Sequence, residues 1–262
     1  MILITGSHGF IGTHLRDLFP EADCIDLKIG SDIRDKLPDK SYTHVFHLAA
    51  LRSISPGEVS PEEYIRTNVW GTWNVLKTYP NARIINVSSS SANKVRSVYG
   101  ATKSSAETFS LMHKNCLNVR LYNVFGEGQG FNSGTVIPKF CHAKFNNYKP
   151  TIFGDGNQRR DFTYVGDVIE ELYGLMFQTS LTGVFHIGYK TYMTVIELAK
   201  FIFGEKFLES SSEAVFLPKR DFEAEDGISF GCMKDVKYGR ITGLNRTIEW
   251  YKNEYSRTRI LP

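Results

Sequence analysis

The chain has 262 residues, of which 42% are hydrophobic and 23% are charged, and its formal net charge is +3. These values are typical of a globular protein with a full core and exclude a disordered or fibrous chain. The net charge is too small to indicate a nucleic acid or a membrane as partner, so we expect neither. The first residues, Met1 to Gly6, lack the charged and apolar regions of a signal peptide, and no later stretch is apolar over the length of a bilayer.

The four cysteines are Cys24, Cys116, Cys141 and Cys232. They are widely separated, without a CxxC pair or any spacing typical of metal ligands, so no metal site is predicted. Such cysteines are typical of reduced thiols in the cytoplasm, which is the location we expect.

Short apolar runs alternate with amphipathic stretches in the first half of the chain, a pattern that predicts repeated β–α–β units and a parallel sheet. The predicted strands are Ile2–Thr5, Cys24–Asp26, Val45–Leu48, Ile84–Ser88 and Asn118–Tyr122. The predicted helices are Ile11–Leu18, Pro61–Thr78 and Val98–His113, the second opened by Ser60 as N-cap. A ligand of such a sheet binds at the carboxyl ends of the strands.

The alternation breaks after Gly126, where glycine-rich turns and irregular segments predict a second lobe. Two later strands, Phe162–Val165 and Val184–Ile187, are predicted to return to the main sheet, with a helix at Asp167–Gln178 between them. The predicted fold is therefore α/β, a Rossmann-type doubly wound parallel sheet with a smaller, discontinuous C-terminal substrate lobe. The predicted ranges are residues 1–125 plus 160–188 for the first domain and 126–159 plus 189–262 for the second lobe.

A glycine-rich turn follows the first strand and opens the first helix, with glycines at Gly6, Gly9 and Gly12. In this position Gly6 can make the tight turn, Gly9 lets a phosphate approach the backbone, and Gly12 lets the helix pack on the strand. The backbone N–H groups and the helix dipole then favour a pyrophosphate. Phe10 and Ile11 lie within the same predicted cofactor site.

Asp26 ends the second predicted strand, about 20 residues after the first glycine, where a carboxylate can accept hydrogen bonds from the adenosine ribose. This arrangement predicts NAD rather than NADP. Lys28 favours NADP instead, because a cation there can pair with the 2′-phosphate of NADP. Leu27, between the two, is included in the predicted cofactor site.

Tyr99 and Lys103 are four residues apart on a predicted helix, so both side chains lie on one face. A tyrosine has a pKa of about 10, and work as a base near neutral pH needs a shift of about three units, or about 4 kcal/mol. An ammonium about 4 Å away supplies about that much at an effective dielectric constant of about 20. We therefore predict Tyr99 as the catalytic base and Lys103 as its electrostatic support.

An ordered set of motifs resembles the extended short-chain dehydrogenases/reductases, the NAD-dependent epimerase/dehydratase family of nucleotide-sugar enzymes. Besides the glycine turn and the Tyr99–Lys103 pair, the matching segments are 32–35, 47–50, 68–74, 87–90, 120–126 and 160–168. The resemblance implies NAD as cofactor and a nucleotide-diphosphate sugar as substrate. It also implies a homodimer formed by the Pro61–Thr78 helix and the Tyr99 helix, with one of Trp70 and Trp73 in the interface.

The resemblance assigns further residues to the cofactor. Asp32 and Ile33 would flank the adenine, and Asn68 would help to order the active site. The remaining cofactor contacts that it implies are Leu48, Ala49, Ala50, Val87, Ser88, Tyr122 and Val124, together with Tyr99 and Lys103 themselves.

The serine-rich end of the fourth strand is expected to supply a hydroxyl to the reacting oxygen of the substrate. By resemblance to the UDP-sugar 4-epimerases this is Ser90, with Ser89 as the alternative if the strand is one residue out of register. The sugar 4,6-dehydratases of the family carry Thr-Asp-Glu where this chain has Ser90 to Ala92, and the decarboxylases expect an acid near this point. The chain therefore resembles the simple epimerases more closely.

The resemblance also implies the substrate contacts. Asn123, Arg160 and Arg220 would bind the nucleotide diphosphate, since a guanidinium offers phosphate a planar fork of donors. Thr151 and Phe153 would hold the base. Arg52 and Val136 complete the predicted substrate set, Arg52 in the sugar pocket.

The segment between Ser90 and Tyr99 is shorter than is usual in the family, and the C-terminal region is abbreviated. A shortened loop would leave the sugar end of the site open. The predicted function is an NAD-dependent nucleotide-sugar epimerase that forms a transient 4-keto sugar, with a UDP-sugar as the expected substrate. The alternatives are a ketoreductase, dehydrogenase or dehydratase of the same family and, in another class, a non-catalytic NAD-sensing protein.

Overall fold

The computed structural model describes residues 1–52, 60–207, 213–219, 226–227, 229, 231, 233 and 236–259. Its strands are β1 (Ile2–Thr5), β2 (Asp23–Ile25), β3 (His44–His47), β4 (Arg83–Ser89), β5 (Cys116–Leu121), β6 (Val124–Phe125), β7 (Thr151–Phe153), β8 (Arg159–Arg160), β9 (Thr163–Tyr164), β10 (Gly183–Ile187), β11 (Met193–Thr194), β12 (Val215–Leu217) and β13 (Asp226–Gly227). Its α-helices are α1 (Phe10–Leu18), α2 (Pro61–Tyr64), α3 (Thr72–Thr78), α4 (Val98–Ser110), α5 (Val136–Phe145), α6 (Val165–Phe177), α7 (Val195–Phe203) and α8 (Arg240–Arg259).

The main sheet has six parallel strands in the order β10-β5-β4-β3-β1-β2. The strand order reverses between β1 and β3, because β2 lies on one side of β1 and β3 to β5 lie on the other, which is the doubly wound arrangement that the sequence predicts. Three smaller sheets pair β11-β8-β13, β12-β7 and β6-β9. The Rossmann-type fold class is therefore observed.

The chain divides into two compact units. The first comprises Met1–Leu121 and Val168–Ile187, and the second comprises Tyr122–Asp167 and Gly188–Pro262. The predicted ranges differ from these at residues 122–125, 160–167 and 188. Residues 122–125 and 160–167 group with the second unit because β6 pairs with β9. For the same reason the predicted return of Phe162–Val165 to the main sheet is wrong, whereas the Val184–Ile187 strand does join it, beside β5.

The core of the first unit is a row of apolar side chains across the sheet. Leu3, Val45, Ile84 and Cys116 are register partners on neighbouring strands, and all of them belong to one buried cluster. Val75 and Leu76 of α3 also belong to this cluster, and burying an aliphatic side chain of this size contributes about 1.5–3 kcal/mol. The cluster packs α3 against β1, β3 and β4.

The predicted helix at Pro61–Thr78 is one continuous helical stretch made of α2, a π-helical segment Ile65–Gly71 and α3. The hydroxyl of Ser60 accepts a hydrogen bond from the Glu63 N–H at 3.3 Å, as its predicted role as N-cap requires. A π-helical turn inserts an extra residue and is frequent at functional sites. Here it contains Asn68.

Among the described residues no helix is long and apolar enough to cross a membrane. In the same part of the chain no group of three or more His, Cys, Asp or Glu side chains is arranged to hold a metal ion. Cys24, Cys116 and Cys141 are free thiols, and Cys232 lies outside the described residues.

Candidate active site

The glycine-rich turn has the geometry that a dinucleotide cradle requires. Gly6 has φ of 69°, in the left-handed region, and a Cβ atom there would lie 2.6 Å from the Ala49 nitrogen. A Cβ atom on Gly12 would lie 2.1 Å from the Gly6 carbonyl oxygen. Gly9 is the N-cap of α1 and provides no side-chain cap, so the first N–H groups of the helix are left to a ligand. Only glycine fits at the two crowded positions, and the turn is shaped to accept a pyrophosphate.

The carboxylate of Asp26 lies beside this turn. One of its oxygens accepts the His8 N–H at 2.9 Å and the other accepts the Lys28 N–H at 2.9 Å. The Lys28 ammonium donates to the His8 carbonyl at 2.7 Å. The structure therefore orients Asp26 through the turn itself and engages Lys28 with the backbone, while Leu27 is 60% exposed.

Asp32 and Ile33 form a second turn at the same edge of the sheet. Arg34 holds the Asp32 carboxylate with its backbone N–H at 2.9 Å and its Nε at 2.7 Å. Partial burial raises the pKa of Asp32, but the hydrogen bonds and the charge of Arg34 outweigh burial and leave this pKa below its usual value. Asn74 of α3 donates to the Ile33 carbonyl at 2.7 Å. This turn is thus fixed from both sides.

Asn68 connects two segments of the candidate site. Its carboxamide accepts the Leu51 N–H at 2.7 Å and donates to the Leu51 carbonyl at 3.0 Å. It also donates to the Thr102 hydroxyl at 3.1 Å, and that hydroxyl donates to the Tyr99 carbonyl at 3.0 Å. One buried amide therefore ties the segment after β3, including Leu48 to Ala50, to the helix that carries Tyr99.

Tyr99 and Lys103 lie at the amino-terminal half of α4, and the buried Lys103 ammonium donates to the Val87 carbonyl of β4 at 2.7 Å. The Tyr99 phenol is hydrogen-bonded by the Ser89 hydroxyl. Ser90 instead begins a 3₁₀ turn, Ser90–Ala92. The structure therefore pairs Tyr99 with Ser89, the alternative of the sequence analysis, because β4 extends to Ser89 before the chain turns.

Ser88 lies on the opposite face of β4 from Val87 and Ser89. Its hydroxyl donates to the Glu107 carboxylate of α4 at 2.5 Å, and its side chain is buried. The Ser88 side chain therefore contacts Glu107, because successive side chains of a strand point to opposite faces, and the predicted contact of Ser88 with the cofactor stays a prediction.

The electrostatics of the pair differ from the simple expectation. Burial raises the pKa of Tyr99, and the Ser89 hydrogen bond and the charge of Arg52 oppose this without cancelling it. Burial lowers the pKa of Lys103 to about 8, although the nearby Glu107 carboxylate acts to raise it. The expectation that Lys103 alone brings the Tyr99 pKa towards neutrality is wrong in this structure, because burial is the largest effect on both groups.

His47, at the end of β3, is a buried neutral residue. Its ring nitrogens lie 2.7 Å from the Thr5 hydroxyl and 3.0 Å from the Thr72 hydroxyl. Burial, with the charge of Lys103 as a smaller cause, lowers the pKa of His47 to about 3. His47 therefore adds no charge near Lys103 at neutral pH.

The predicted substrate residues of the second unit meet at one cavity of about 200 Å³. Asn123, Val136, Thr151, Phe153 and Arg160 all line it. Arg160 is only 9% exposed, and Asn123 has the left-handed φ of 33° that asparagine tolerates better than most residues. This concave site combines an aromatic ring, a guanidinium and amide groups.

Four other predicted residues have different outcomes. Val124, predicted to contact the cofactor, lines the cavity of the second unit, and Tyr122 is 1% exposed in the same unit. Arg220 lies outside the described residues. Arg52 is described and exposed, and its charge acts on Tyr99.

Glu107, Arg120 and Gln129 were not predicted as site residues from the sequence. Glu107 follows Lys103 by four residues on α4, and this spacing was an available signal for a third side chain on the Tyr99 face. Arg120 lies in a segment that was singled out only as a motif. Gln129 lines the cavity of the second unit, and its position within a glycine-rich turn gave no indication of this.

Two relatives and one solved structure illustrate what the chain is similar to. It is 28% identical over 308 residues to a "Putative UDP-glucose 4-epimerase" of Methanocaldococcus jannaschii, with 97% of this chain and 99% of the relative covered. It is 27% identical to UDP-glucuronic acid decarboxylase 1 of Arabidopsis thaliana, with 83% of this chain covered, and spans 60% of that longer protein. The structure of MoeE5 in complex with UDP-glucose and NAD matches with a TM-score of 0.82 and 25% identity, covering 97% of this chain and 99% of MoeE5.

The model of the NAD dependent epimerase/dehydratase family matches residues 2–188, which is more than half of the chain. This match and the relatives confirm the predicted resemblance, the Rossmann-type fold and NAD as the cofactor. The residues of the glycine turn fit that cofactor, since a Cβ atom at Gly6 or Gly12 would clash with the backbone and only glycine allows this tight turn before α1. The chain belongs to the NAD dependent epimerase/dehydratase family of nucleotide-sugar enzymes.

Proposed function

We propose that this chain is a nucleotide-sugar 4-epimerase that acts through transient oxidation to a 4-keto sugar, with a UDP-sugar as substrate. The observation that carries the proposal is the hydrogen bond of Ser89 to the Tyr99 phenol, on the same helix face as the buried Lys103 ammonium. A hydroxyl donor and a phenol within hydrogen-bonding distance of each other are the groups needed to bind a sugar hydroxyl and remove its proton.

In this proposal Tyr99 removes the proton of the sugar 4-hydroxyl, and Ser89 donates a hydrogen bond to the same oxygen. Below the Lys103 pKa of about 8 this lysine is a cation and favours the phenolate form of Tyr99. Bound NAD⁺ would accept the hydride from the sugar carbon, and its positive ring would favour the phenolate further. The glycine turn, Asp26 and Ile33 would hold the cofactor. Tyr99 would return the proton to the sugar oxygen after the 4-keto sugar has rotated in the site and has been reduced on its opposite face.

The link between β4 and α4 favours epimerisation over elimination. Residues 90–98 read Ser-Ser-Ala-Asn-Lys-Val-Arg-Ser-Val and contain no aspartate or glutamate. Elimination of water from the keto sugar needs an acid to protonate the leaving hydroxyl, and this segment supplies none. Reversible oxidation needs no such group, so it fits the residues present.

The cavity of the second unit is the proposed site of the nucleotide diphosphate. Arg160 would pair with a phosphate through its planar fork of donors, and Phe153 would stack against the base. Asn123 and Thr151 would supply further hydrogen bonds. The similarity to MoeE5, whose structure contains UDP-glucose, supports a uridine nucleotide.

The direct test is a sugar-nucleotide panel without added cofactor. Purified protein should interconvert UDP-glucose with UDP-galactose, or their N-acetyl forms, because the hydride is returned within each cycle. The products are separated by chromatography, and the nicotinamide absorbance should show no net change. Stoichiometric reduction of added NAD⁺ would instead identify a dehydrogenase, and inactivity on the whole panel would contradict the proposal.

An acidic sugar is the second candidate substrate. The charge of Arg52 acts on Tyr99, and the link presents two exposed cations, Lys94 and Arg96, without any acid. The Arabidopsis relative is a decarboxylase of UDP-glucuronic acid. UDP-glucuronic acid therefore belongs in the panel, where epimerisation and loss of carbon dioxide give different products.

We also propose that the chain forms a homodimer through α4 and the Pro61–Thr78 helix. Ile65, Val69 and Trp73 follow one another at four-residue spacing, and Ile65 is 53% exposed. The Trp73 ring lies 6.1 Å from that of Phe109, which is 41% exposed at the end of α4. A cytoplasmic location, supported by the free thiols Cys24, Cys116 and Cys141, is part of the same proposal.

The charge-introducing change Phe109→Glu should convert a dimer into a monomer, because a carboxylate cannot be buried unpaired in an apolar interface. The mass in solution is measured by light scattering after size exclusion. The matched control is Phe177→Glu, at an aromatic residue that is 61% exposed at the end of α6. A monomeric parent protein, or a dimer that persists in the Phe109 variant, would contradict this interface.

A further inference from the structure

A largely buried ion pair lies on the Tyr99–Lys103 face of α4, one turn further along the helix. The Arg120 guanidinium of β5 donates to the Glu107 carboxylate through Nε at 2.8 Å and through its terminal nitrogen at 2.5 Å. Glu107 is 5% exposed, and it also accepts the Ser88 hydroxyl of β4 at 2.5 Å. Three elements of the first unit, α4, β4 and β5, therefore meet at one carboxylate.

The same guanidinium reaches the short link between β4 and α4. Its other terminal nitrogen donates to the Asn93 side-chain oxygen, directly after the Ser90–Ala92 turn. At the other end of the link, the Ser97 hydroxyl accepts the Gly100 N–H at 3.1 Å and caps α4. The link is thus fixed at both ends, by Asn93 and by Ser97.

Close packing leaves little freedom between these parts. A Cβ atom on Gly100 would lie 2.6 Å from the Ser91 carbonyl oxygen. The backbone of α4, one residue after Tyr99, therefore rests directly on the turn that follows Ser89. A small displacement of the link moves the Ser89 hydroxyl in relation to the Tyr99 phenol.

We propose that Glu107 and Arg120 are positioning residues for the Tyr99–Lys103–Ser89 group. Arg120 clamps the short link between β4 and α4 through its hydrogen bond to Asn93. Glu107 holds a negative charge one helical turn from Lys103. The catalytic consequence of this inference rests on the proposed function, whereas the clamping of the link by Arg120 does not depend on it. It explains how a link of this length still holds a hydroxyl and a phenol in register.

The charged and titratable groups around Lys103 define the electrostatic part of the inference. On its own helix these are Tyr99 and Glu107, and β3 contributes the neutral His47. The Lys103 ammonium itself donates to the uncharged Val87 carbonyl of β4. Arg120 of β5 is paired with Glu107, and Arg52 acts on Tyr99. Glu107 is the carboxylate whose charge raises the pKa of Lys103, against the larger effect of burial.

The sign of the effect follows from this arrangement. Lys103 is protonated below its pKa of about 8 and loses its charge as the pH rises through that value. Removing the Glu107 charge lowers this pKa further, so Lys103 becomes neutral at a lower pH. A role in packing alone would not move the pKa of Lys103 in a defined direction.

The first experiment is a pH profile of kcat for Glu107→Gln. We expect its alkaline limb to move to lower pH by about one unit, since an opposite charge within reach shifts a pKa by about 1–3 units. Arg83→Gln is the control for lost stability, because Arg83 is buried outside this group, and Lys40→Gln controls for the loss of an exposed ion pair. A Glu107→Gln profile that superimposes on that of the parent protein would overturn the electrostatic part.

The second experiment does not need activity. Asn93→Ala removes the acceptor of the link and leaves the Glu107–Arg120 pair in place, so the variant should fold. We expect faster hydrogen–deuterium exchange at residues 93–98 and unchanged exchange in β4 and β5. Unchanged exchange in the link would overturn the clamp, whereas an inactive parent protein with this exchange pattern would contradict only the proposed function.

If the parent protein is active, Asn93→Ala should also lower kcat by about tenfold while KM changes little, because misplacing a reacting group acts on the chemical step. Restoring the acceptor with Asn93→Asp should recover most of kcat, since a carboxylate also accepts from Arg120. Equal effects of both substitutions would overturn the clamp.

Discussion

Replacing Tyr99 by phenylalanine is expected to lower kcat by about 10²–10⁴-fold, which is the usual contribution of a positioned proton-transfer group. The ring and its contact with Tyr64, at 6.5 Å between centroids, would remain, and only the phenol that hydrogen-bonds with Ser89 would be lost. NAD should stay bound, because the glycine turn and Asp26 are untouched. Turnover is measured with the substrate found in the panel, and bound NAD is quantified after denaturing the protein.

The matched control for this variant is Tyr42→Phe. It also removes one phenol hydroxyl, which donates to Asp23 at 2.7 Å at the other end of the sheet. We expect its kcat to equal that of the parent protein. A Tyr99 variant that retains more than about one tenth of the activity would contradict Tyr99 as the base. A protein that binds NAD but turns over no sugar nucleotide would instead favour the non-catalytic sensor.

The second large effect concerns stability and lies at Arg83. This arginine begins β4, is only 2% exposed, and donates to the carbonyl oxygens of Leu181 at 2.8 Å and Gln178 at 2.9 Å. It also donates to the Leu175 carbonyl at 3.3 Å. The last carbonyls of a helix have no partner within the helix, and a cation at that end is favourable. Arg83 therefore caps the carboxyl end of α6.

Arg83→Met keeps much of the side-chain volume but removes every one of these donors. We expect the free energy of unfolding to fall by about 3–5 kcal/mol, because one buried and two partly buried carbonyl contacts lose a charged donor. The melting temperature should fall by roughly 10 °C for a chain of this size. The measurements are urea unfolding and a thermal melt.

The control for Arg83 is Arg66→Met in the same unit. Arg66 has a side chain that is 68% exposed and pairs with Glu63 at 3.3 Å. Exposed pairs contribute about 0–1 kcal/mol, so this variant should melt close to the parent protein. A loss below about 1 kcal/mol in Arg83→Met would show that water replaces the guanidinium at these carbonyls without cost.

Local patterns in the sequence were sufficient for much of the fold. The strand Ile2–Thr5 is observed with the predicted bounds, and the helical stretch at residues 61–78 is observed in full. Both rest on periodicity and on capping residues, which act over a few positions. The strand at Phe162–Val165 was predicted as part of the main sheet, but β9 pairs with β6 in a separate sheet. Periodicity identifies a strand, whereas its partner depends on contacts far along the chain.

The candidate site divides in the same way. The glycine turn, Asp26, Tyr99 and Lys103 were chosen from spacing, and their roles in the site stay predictions. The choice between Ser89 and Ser90 depended on where β4 ends, because one residue along a strand reverses the face of a side chain. No sequence pattern indicated that burial would be the largest effect on the pKa values of Tyr99 and Lys103.

By itself, the sequence determined the family, the cofactor and the residues of the glycine turn, because these depend on short motifs in a fixed order. Only the tertiary structure decided that Ser89 contacts Tyr99 and that burial lowers the pKa of Lys103. The same is true of the contacts by which Arg120 joins Glu107 to Asn93. The physical reason is that hydrogen bonds and desolvation depend on distances between segments that are distant in sequence. Asn93 and Arg120 lie 27 residues apart in the chain, and only the pairing of β4 with β5 brings them within reach of each other.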